Sequence, residues 1–432
     1  MIIGTAPMPE EGAGQQLISP VRFLGMVVEG SLTGGVEIRL DPSTSVEDIK
    51  VGTFVTVQGE KMHFFGVVTN VALSSADHRL KYTPPDVQNP FIAQVVAGTI
   101  AYGTISVLPT LTMPVVMGDS SGPMPAKTVP AHFSRARLAS ERDVETVFGS
   151  EDKRHFHIGN PLDMETKVCL DLKALTERSV GIFGKSGTGK TFLTRLLLIG
   201  ILQSDLASTL IFDMHSEYGW QGGREGGTFV KGLKQLFPSK VAVFSLDEES
   251  SRRRGLSPDE VVRIGYDEIE PEDVEALQEN LGLSDEASQA AYNLRRKYGA
   301  RQWLQEFLSL EGRETVVGLA NDIGVQSQAL SALHNRLSRL ERYDFLASTV
   351  RHDSVQSILE HLDRGMHVVL EFGRYGNDLN AYILVTNLLT RRIHERYVNR
   401  KDEAEGGKGS EPTPQLIAIE ESHKFLSPSV AS

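Results

Sequence analysis

The residues best suited to chemistry form one glycine-rich segment, residues 184–191, which reads Gly-Lys-Ser-Gly-Thr-Gly-Lys-Thr. It matches the phosphate-binding loop pattern G-x-x-x-x-G-K-[ST] at every fixed position. Glycines let the backbone wrap closely around phosphates, and the amides that open the following helix favour negative charge. Lys190 is expected to bridge the β- and γ-phosphates of ATP, and the Thr191 hydroxyl to bind Mg²⁺. The residues predicted to contact the nucleotide are Gly184, Lys185, Ser186, Gly187, Thr188, Gly189, Lys190 and Thr191.

Two consecutive acids, Glu420 and Glu421, follow the apolar run 416–419. Such a run predicts a strand that delivers both carboxylates to its carboxyl end, which is the edge where α/β sheets bind ligands. Glu420 is predicted to hold Mg²⁺, directly or through water, and Glu421 to polarise the attacking water as general base. Taken alone, the pattern is equally typical of a solvated strand end.

A third candidate is the segment 213–218, Asp-Met-His-Ser-Glu-Tyr, which follows the first strand after the phosphate loop. Its position places Asp213 and Glu217 at the same edge as the acids above, where either could help to place Mg²⁺ or water. The alternative interpretation is a capped turn between a strand and a loop.

The elements that must position these residues alternate between strands and helices over the second part of the chain. Strands are predicted at 168–172, 178–183, 209–213, 241–245, 367–372 and 416–419. Helices are predicted at 192–202 and 380–399, with a charged loop at 401–414. This alternation predicts an α/β domain with a mainly parallel sheet. Residues 271–362 lack strand signals and are predicted to be a helical insertion, with helices at 285–298, 303–308 and 326–340.

The first part of the chain, about 17–118, has the pattern of an all-β domain. Short β-branched runs at 21–28, 36–40, 51–57 and 64–71 are separated by glycine turns, which favours a small barrel or sandwich. The uncharged stretch 87–118 is long enough to span a membrane, but internal prolines and glycines favour short buried strands. No export signal is visible at the N-terminus, and residues 120–153 read as a polar connector.

Composition limits the classes of function. Cys169 is the one cysteine, which excludes an intrachain disulfide and a cysteine zinc site and fits a reducing cytoplasm. The chain has 44 Lys and Arg against 56 Asp and Glu, a net charge of −12, so any DNA contact must use a local basic patch. Candidate clusters are 252–254, 295–297 and 391–392, and each is also typical of a solvated helix surface.

Together, the loop at 184–191, the segment 213–218 and the sequence Glu-Glu-Ser-His at 420–423 resemble the HerA branch of the HerA/FtsK hexameric DNA translocases. The β-rich N-terminal region and the helical insertion, including 333–340, fit that resemblance. It implies a RecA-like P-loop NTPase core at 154–270 and 363–432, interrupted by the insertion at 271–362. It also implies an N-terminal barrel of the HAS type at 1–118, followed by a connector at 119–153.

The resemblance further implies roles for residues and partners. Arg178 corresponds to a basic residue that reaches nucleotide held by a neighbouring subunit, and His423 to one that links nucleotide state to a central pore. Lys190, Glu421 and Arg178 are then the catalytic residues, with Thr191 and Glu420 at the metal. The implied partners are double-stranded DNA, a NurA-type nuclease in end resection, and further copies of the chain in a cytoplasmic hexamer.

Two features depart from that family. Met214 and Ser216 stand where it usually has proline and glycine, and the chain ends at Ser432, soon after Glu421. We expect the core to be truncated and to lack a trans-acting arginine finger, which would slow hydrolysis. Two alternatives therefore remain open: the ATPase subunit of an anti-phage defence complex, and an ATP-binding scaffold with little turnover.

Overall fold

The structure is a computed structural model that describes residues 22–77, 82, 85–86, 88–96, 100–115, 122–161, 164–223 and 229–424. Contacts divide the chain into two compact units, Met1–Asp171 and Leu172–Ser432. The first unit has one hydrophobic core and the second has two, one on each face of its main sheet.

The first unit is built around a β-barrel. Its strands are β1 (Phe23–Ser31), β2 (Gly35–Leu40), β3 (Phe54–Gln58), β4 (Met62–Ser75), β5 (Ala101–Pro114), β6 (Met124–Pro125) and β7 (Arg135–Leu138). Six strands close in the order β2-β1-β7-β3-β4-β5, because β5 pairs back with β2, while the short β6 pairs only with β5. Helices α1 (Pro90–Val96) and α2 (Glu141–Phe148) and the hairpin β8 (His155–Gly159) and β9 (Val168–Asp171) complete the unit.

Alternation of side chains explains the barrel interior. Along β2 the apolar residues Val36, Ile38 and Leu40 point inward, while the charged residues between them face out. Their partners inside the barrel come from the other strands and include Leu24, Val27, Val55, Val57, Val68, Ile105 and Val107. The predicted N-terminal β-barrel is thus confirmed.

Strand β7 corrects the prediction of a polar connector after residue 118. It lies between β1 and β3 and so closes the barrel. Only Ala136 of this strand is fully buried, and an arginine lies on each side of Ala136. The sequence therefore has the polar composition of a linker. The uncharged stretch also differs from the prediction, since it contains the helix α1 and the single long strand β5. No helix in the described ranges is long and apolar enough to cross a membrane.

The second unit contains a five-stranded sheet made of β10 (Ser208–Asp213), β13 (Val241–Ser245), β14 (Glu260–Val261), β17 (His367–Glu371) and β18 (Gln415–Ile419). All pairings in it are parallel, in the order β14-β13-β17-β10-β18. Shorter pairs are β11 (Gly222–Gly223) with β12 (Phe229–Val230), and β15 (Ile264–Gly265) with β16 (Leu346–Ala347). The helices before the insertion are α3 (Leu172–Thr176), α4 (Lys190–Ser204), α5 (Leu233–Leu236) and α6 (Glu248–Arg253).

Helices cover both faces of the five-stranded sheet, which is why its inner strands are buried throughout. Ile211, Val243 and Val369 face α4, where they meet Leu198 and Leu202. Residues of the alternate register, such as Phe212 and Phe244, face the larger core, which contains the insertion and the last helix. The predicted α/β core is therefore confirmed.

The predicted helical insertion is present. Its helices are α7 (Pro271–Ala276), α8 (Gln278–Leu281), α9 (Asp285–Tyr298), α10 (Trp303–Leu308), α11 (Arg313–Ile323), α12 (Ser327–Leu337) and α13 (Ser354–Asp363). It also holds β16, which the sequence analysis did not predict. The last helix, α14 (Leu379–Glu405), runs beyond the predicted end because four of the residues 401–405 are good helix formers, and Gly406 and Gly407 end it.

Of two strand predictions near the phosphate loop, the first was right about the strand but wrong about its sheet, and the second was wrong. Residues 168–171 do form a strand, but it pairs with β8 in an antiparallel hairpin that belongs to the first unit. The strand predicted at 178–183 is absent, and Val180 and Phe183 are 58% and 93% exposed. Within the described chain, β18 pairs only with β10, so its other edge carries no strand. The proposed domain boundaries themselves stay a prediction.

Candidate functional site

The carboxyl edge of the parallel sheet brings the predicted acids together. Strand β10 ends at Asp213, which lies beside Glu371 at the end of β17. On its other side, Phe212 lies beside Ile419, the last residue of β18, so Glu420 follows at the same edge. Sheet register alone therefore gathers three carboxylates from strands that are far apart in sequence.

The phosphate loop precedes α4 and is open to solvent. Gly187 and Gly189 have φ angles of 77° and 91°, a left-handed conformation that glycine adopts without strain. Gly189 caps α4 and, being glycine, has no side chain of its own to bond the amides that open the helix. An anion can bind at such a helix start, as the motif predicts.

Lys190 is the first residue of α4, and its Nζ lies 3.1 Å from the backbone oxygen of Lys185. The hydroxyl of Thr188 donates to the same oxygen at 2.7 Å. The loop thus closes on itself around one carbonyl, and the ammonium group stays within the loop. The roles of all eight loop residues remain predictions.

Asp213 is completely buried and organises the turn that follows β10. Its Oδ1 accepts a hydrogen bond from the amide of Glu217 at 2.8 Å, and its Oδ2 accepts one from Tyr218 at 2.9 Å and a longer one from Gly219 at 3.4 Å. Burial raises the pKa of the Asp213 carboxyl, although these amides oppose the shift. The geometry supports the capped-turn interpretation of this residue, and nucleotide binding by Asp213 and Glu217 stays a prediction.

Ser216 explains how the turn tolerates its departure from the family pattern. Its φ is 57°, a left-handed conformation that costs a non-glycine residue about 1–2 kcal/mol. This is the position where the resembling family usually has glycine. Serine therefore adopts the backbone conformation that glycine would supply more cheaply, and the surrounding hydrogen bonds hold it there.

Glu420 is half-buried and accepts a hydrogen bond from the backbone amide of His215. Burial, and then the negative charges of Asp213 and Glu217, raise the pKa of its carboxyl to about 8. Its Oε2 is buried and has no hydrogen-bond partner. A carboxylate gathered with other acids and left with an orphan oxygen is suited to a cation.

Glu421 follows in a left-handed conformation, with φ at 49°. Its Oε2 lies 3.2 Å from Nδ1 of His423, so the two residues predicted to act in turnover and coupling are in contact. The unusual backbone angle turns the chain directly after β18. Consecutive acids consequently have different partners: a backbone amide for Glu420 and an imidazole for Glu421.

The helix that begins at the phosphate loop is tied to the acidic edge by its second turn. The guanidinium of Arg195 donates to the backbone oxygen of Glu217, and the Tyr218 hydroxyl is hydrogen bonded to the Thr194 side chain. These contacts join the loop's helix to the turn whose His215 amide reaches Glu420. The structure therefore places both halves of the predicted site on one connected framework.

Sequence reasoning missed Arg195 and Tyr382 as parts of this framework. Arg195 had a signal, since it is a charged residue in an otherwise apolar helical run. Tyr382 gave no such signal, because a tyrosine in a helix commonly packs in the core. Its hydroxyl nevertheless lies 3.1 Å from the backbone oxygen of Glu420.

The basic residues proposed from sequence are mostly paired with acids of the same chain. Arg252 and Arg253 pair with acids four residues earlier on α6, and Arg254 pairs with the buried Glu371 at 2.6 Å. The other clusters behave alike, through Arg295 with Glu270, Lys297 with Asp322, Arg391 with Asp273 and Arg392 with Glu268. Arg178 is exposed, and its role stays a prediction.

The residues present fit a magnesium nucleotide better than a metal ion alone. Within the described ranges, no group of three His, Cys, Asp or Glu side chains could hold a metal by itself. Mg²⁺ is usually bound through one or two carboxylates together with substrate phosphates. The open loop amides and the orphan oxygen of Glu420 suit that mode of binding.

Comparisons with known proteins match each part of the chain to a protein family. The family described as "Helicase HerA, central domain" matches residues 156–393, and the HAS barrel domain family matches residues 24–106. No match was found among curated proteins.

Among solved structures, a bacterial conjugative coupling protein, TrwBdeltaN70 in an unbound monoclinic form, is 15% identical with a TM-score of 0.37; the match covers 66% of this chain and 69% of that one. VirB4 of Thermoanaerobacter pseudethanolicus is 14% identical with a TM-score of 0.34 and covers 65% of this chain and 81% of its own. The family match rests on the central domain and spans more than half of the sequence. The chain belongs to the HerA family of P-loop ATPases.

Proposed function

We propose that this protein is an ATP-driven motor that moves along double-stranded DNA as part of a hexameric ring. The observation that carries the proposal is the connected framework of the site: α4, which starts at the phosphate loop, contacts the turn whose amide reaches Glu420. A machine that converts hydrolysis into movement needs such a connection between the place where phosphate binds and the acids that act on it.

In this proposal, residues 184–191 bind the triphosphate, with Lys190 bridging its β- and γ-phosphates and Thr191 and Glu420 holding Mg²⁺. The bound ion supplies charge neutralisation at the phosphates. Glu421 accepts a proton from the attacking water, which its half-exposed position and its contact with His423 support. Arg178, exposed just before the loop, reaches the nucleotide of the neighbouring subunit.

DNA gripping by such a ring uses mainly phosphate contacts, which are salt-sensitive and tolerant of sequence. The chain's net charge of −12 is compatible with a ring that is negative outside and basic along its channel. Most of the basic residues in these clusters form ion pairs with acids of the same chain. We therefore propose that the DNA phosphates are bound by other basic residues, or by these residues after their ion pairs have opened.

The decisive experiment measures ATP hydrolysis by the full chain with linear duplex DNA, with single-stranded DNA and without nucleic acid. A motor on duplex DNA predicts the highest rate with linear duplex and a rate that falls as salt increases. Native mass spectrometry with ATP and DNA should show rings. Hydrolysis that ignores DNA, together with a strict monomer in every condition, would reject the proposal and favour an ATP-binding scaffold.

We further propose that the motor works with a NurA-type nuclease in DNA end resection and double-strand break repair. The support is the HAS barrel family match, since the barrel is a separate compact unit suited to docking a partner. Anti-phage defence with another nuclease is the alternative. Co-purification of the chain with each nuclease encoded beside its gene distinguishes them, because the repair role requires a NurA-type partner.

A further inference from the structure

Tyr382 occupies a distinctive place at the carboxyl edge of the sheet. It lies in the first turn of α14 and is completely buried. Its hydroxyl is 3.1 Å from the backbone oxygen of Glu420 and 3.4 Å from that of Phe212. One phenol thus reaches the ends of both β18 and β10, directly beside the acids of the site.

The bond to Glu420 falls where the backbone changes direction. A phenol carries one proton and donates fully to one acceptor at a time, and the shorter distance favours the Glu420 oxygen. The next residue, Glu421, has a φ of 49°, which is costly for a side chain with a Cβ. Anchoring the carbonyl before this residue restrains the peptide plane that the left-handed turn requires.

The anchor itself is rigid. The Tyr382 ring packs on Phe372 with ring centroids 4.6 Å apart. The start of α14 is fixed by Asp378, whose side chain accepts from the amides of Asn380 and Ala381. Tyr343 in turn donates to Asp378 at 2.9 Å. The Tyr382 hydroxyl is therefore held in place independently of the turn that it contacts.

We propose that Tyr382 is a positioning residue that holds the turn after β18, so that Glu420 and Glu421 point to different partners. This inference rests on the proposed function, because it assigns Tyr382 to the same hydrolytic site. Without the hydroxyl, the Glu420 carbonyl loses a buried donor and the turn relaxes toward an extended conformation. Glu421 then spends less time in the orientation that serves the attacking water.

The test is Tyr382→Phe in the full chain, which removes one oxygen and keeps the ring. We expect kcat for ATP to fall by about ten-fold, as when a catalytic group loses its positioning contact, with KM and nucleotide affinity unchanged. Amide hydrogen exchange in peptides covering 415–424 should become faster, which is a readout that does not depend on turnover. Incorporating 4-aminophenylalanine at position 382 restores a donor and should recover most of the rate.

The matched control is Tyr292→Phe, which removes a hydroxyl that donates to Glu275 within the insertion. It should leave kcat and the exchange of 415–424 unchanged. An unaltered kcat and exchange in Tyr382→Phe would overturn the inference while leaving the motor proposal intact. A Tyr382→Phe variant that loses ATP affinity and thermal stability but keeps the wild-type kcat would also overturn it. A wild-type chain that hydrolyses no ATP under any condition would defeat both.

Discussion

The two edges of the same parallel sheet bury titratable groups in opposite ways. At the carboxyl edge, Asp213, Glu371 and Glu420 crowd together, and one oxygen each of Glu371 and Glu420 lacks a hydrogen-bond partner. Burial raises the pKa of Glu371 to about 7, and nearby Asp213 adds to the shift while Arg254 opposes it. Buried acids with oxygens that lack partners destabilise a fold, and groups with such perturbed pKa values are candidates for a functional site.

At the amino edge the buried group is a base kept neutral. His367 is 1% exposed and its Nδ1 lies 3.1 Å from the Thr209 hydroxyl. Burial, and then the positive charge of Lys240, lower the pKa of His367 to about 4. Among the described residues no acid forms an ion pair with this imidazole, and the charges that act on it, Lys240 and Asp205, are paired with each other. The contrast indicates that the carboxyl edge is arranged for ligands and the amino edge for stability.

The largest effect is expected from Lys190→Ala, which tests whether the carboxyl edge binds a nucleotide. Removing the ammonium that lies within the phosphate loop should reduce ATP hydrolysis by about a thousand-fold or more, since it takes away the main positive charge on the phosphates. Nucleotide binding by fluorescence and hydrolysis by phosphate release measure the effect. Lys408→Ala, at an exposed residue after α14, is the control and should retain full activity; unchanged binding in Lys190→Ala would remove the loop from the site.

Glu421→Gln tests the acidic half of the carboxyl edge. The amide keeps the shape but cannot accept a proton, so hydrolysis should fall by about a hundred- to a thousand-fold while ATP stays bound. Single-turnover hydrolysis and retained nucleotide measure the two effects separately. Glu411→Gln, in the exposed segment before β18, should behave as wild type. Normal turnover by Glu421→Gln would place the catalytic base elsewhere.

The buried His367 at the amino edge should make the stability of the fold depend on pH. His367 has a folded-state pKa below its ordinary value of 6.5, so the unfolded chain binds an extra proton between about pH 6.5 and 4. Its contribution to stability is complete above that window and is lost as pH falls through it, by up to about 3 kcal/mol. Thermal or urea unfolding across this range measures the slope. His367→Gln should flatten it, whereas the exposed His352→Gln should not.

The smallest expected effect concerns Ser216. Glycine adopts its left-handed conformation without strain, so Ser216→Gly should stabilise the protein by about 0.5–1 kcal/mol, partly offset by greater freedom in the unfolded chain. Ser309→Gly, at a residue with φ of −72°, is the matched control and should not stabilise. Melting temperatures compare the two. A loss of stability in Ser216→Gly would mean that the serine side chain supports the turn.

Local patterns predicted the parts of the site that depend on residue order. The phosphate loop, the strands β10, β13, β17 and β18 and the three insertion helices 285–298, 303–308 and 326–340 were predicted with small errors at their ends. Their signals are strong because buried parallel strands read as continuous apolar runs and the loop needs glycines at set positions.

Features that depend on distant partners could not be predicted. Strand β7 has only one fully buried residue, and it forms because two strands from other parts of the sequence flank it. Residues 179–183 have a strand's composition, yet no neighbouring strand in the described chain pairs with them. The contact between Tyr382 and Glu420 joins residues 38 positions apart, and neither residue's own neighbourhood signals it.

Helix α14 runs from the acidic edge of the sheet to a distant part of the second unit. It has 27 residues, which corresponds to a rod about 40 Å long. Tyr382 contacts the turn after β18 near one end, and near the other Arg396 and Arg400 both pair with Asp363 of α13. Contacts at both ends therefore connect the turn after β18, through one long helix, to α13 in the helical insertion.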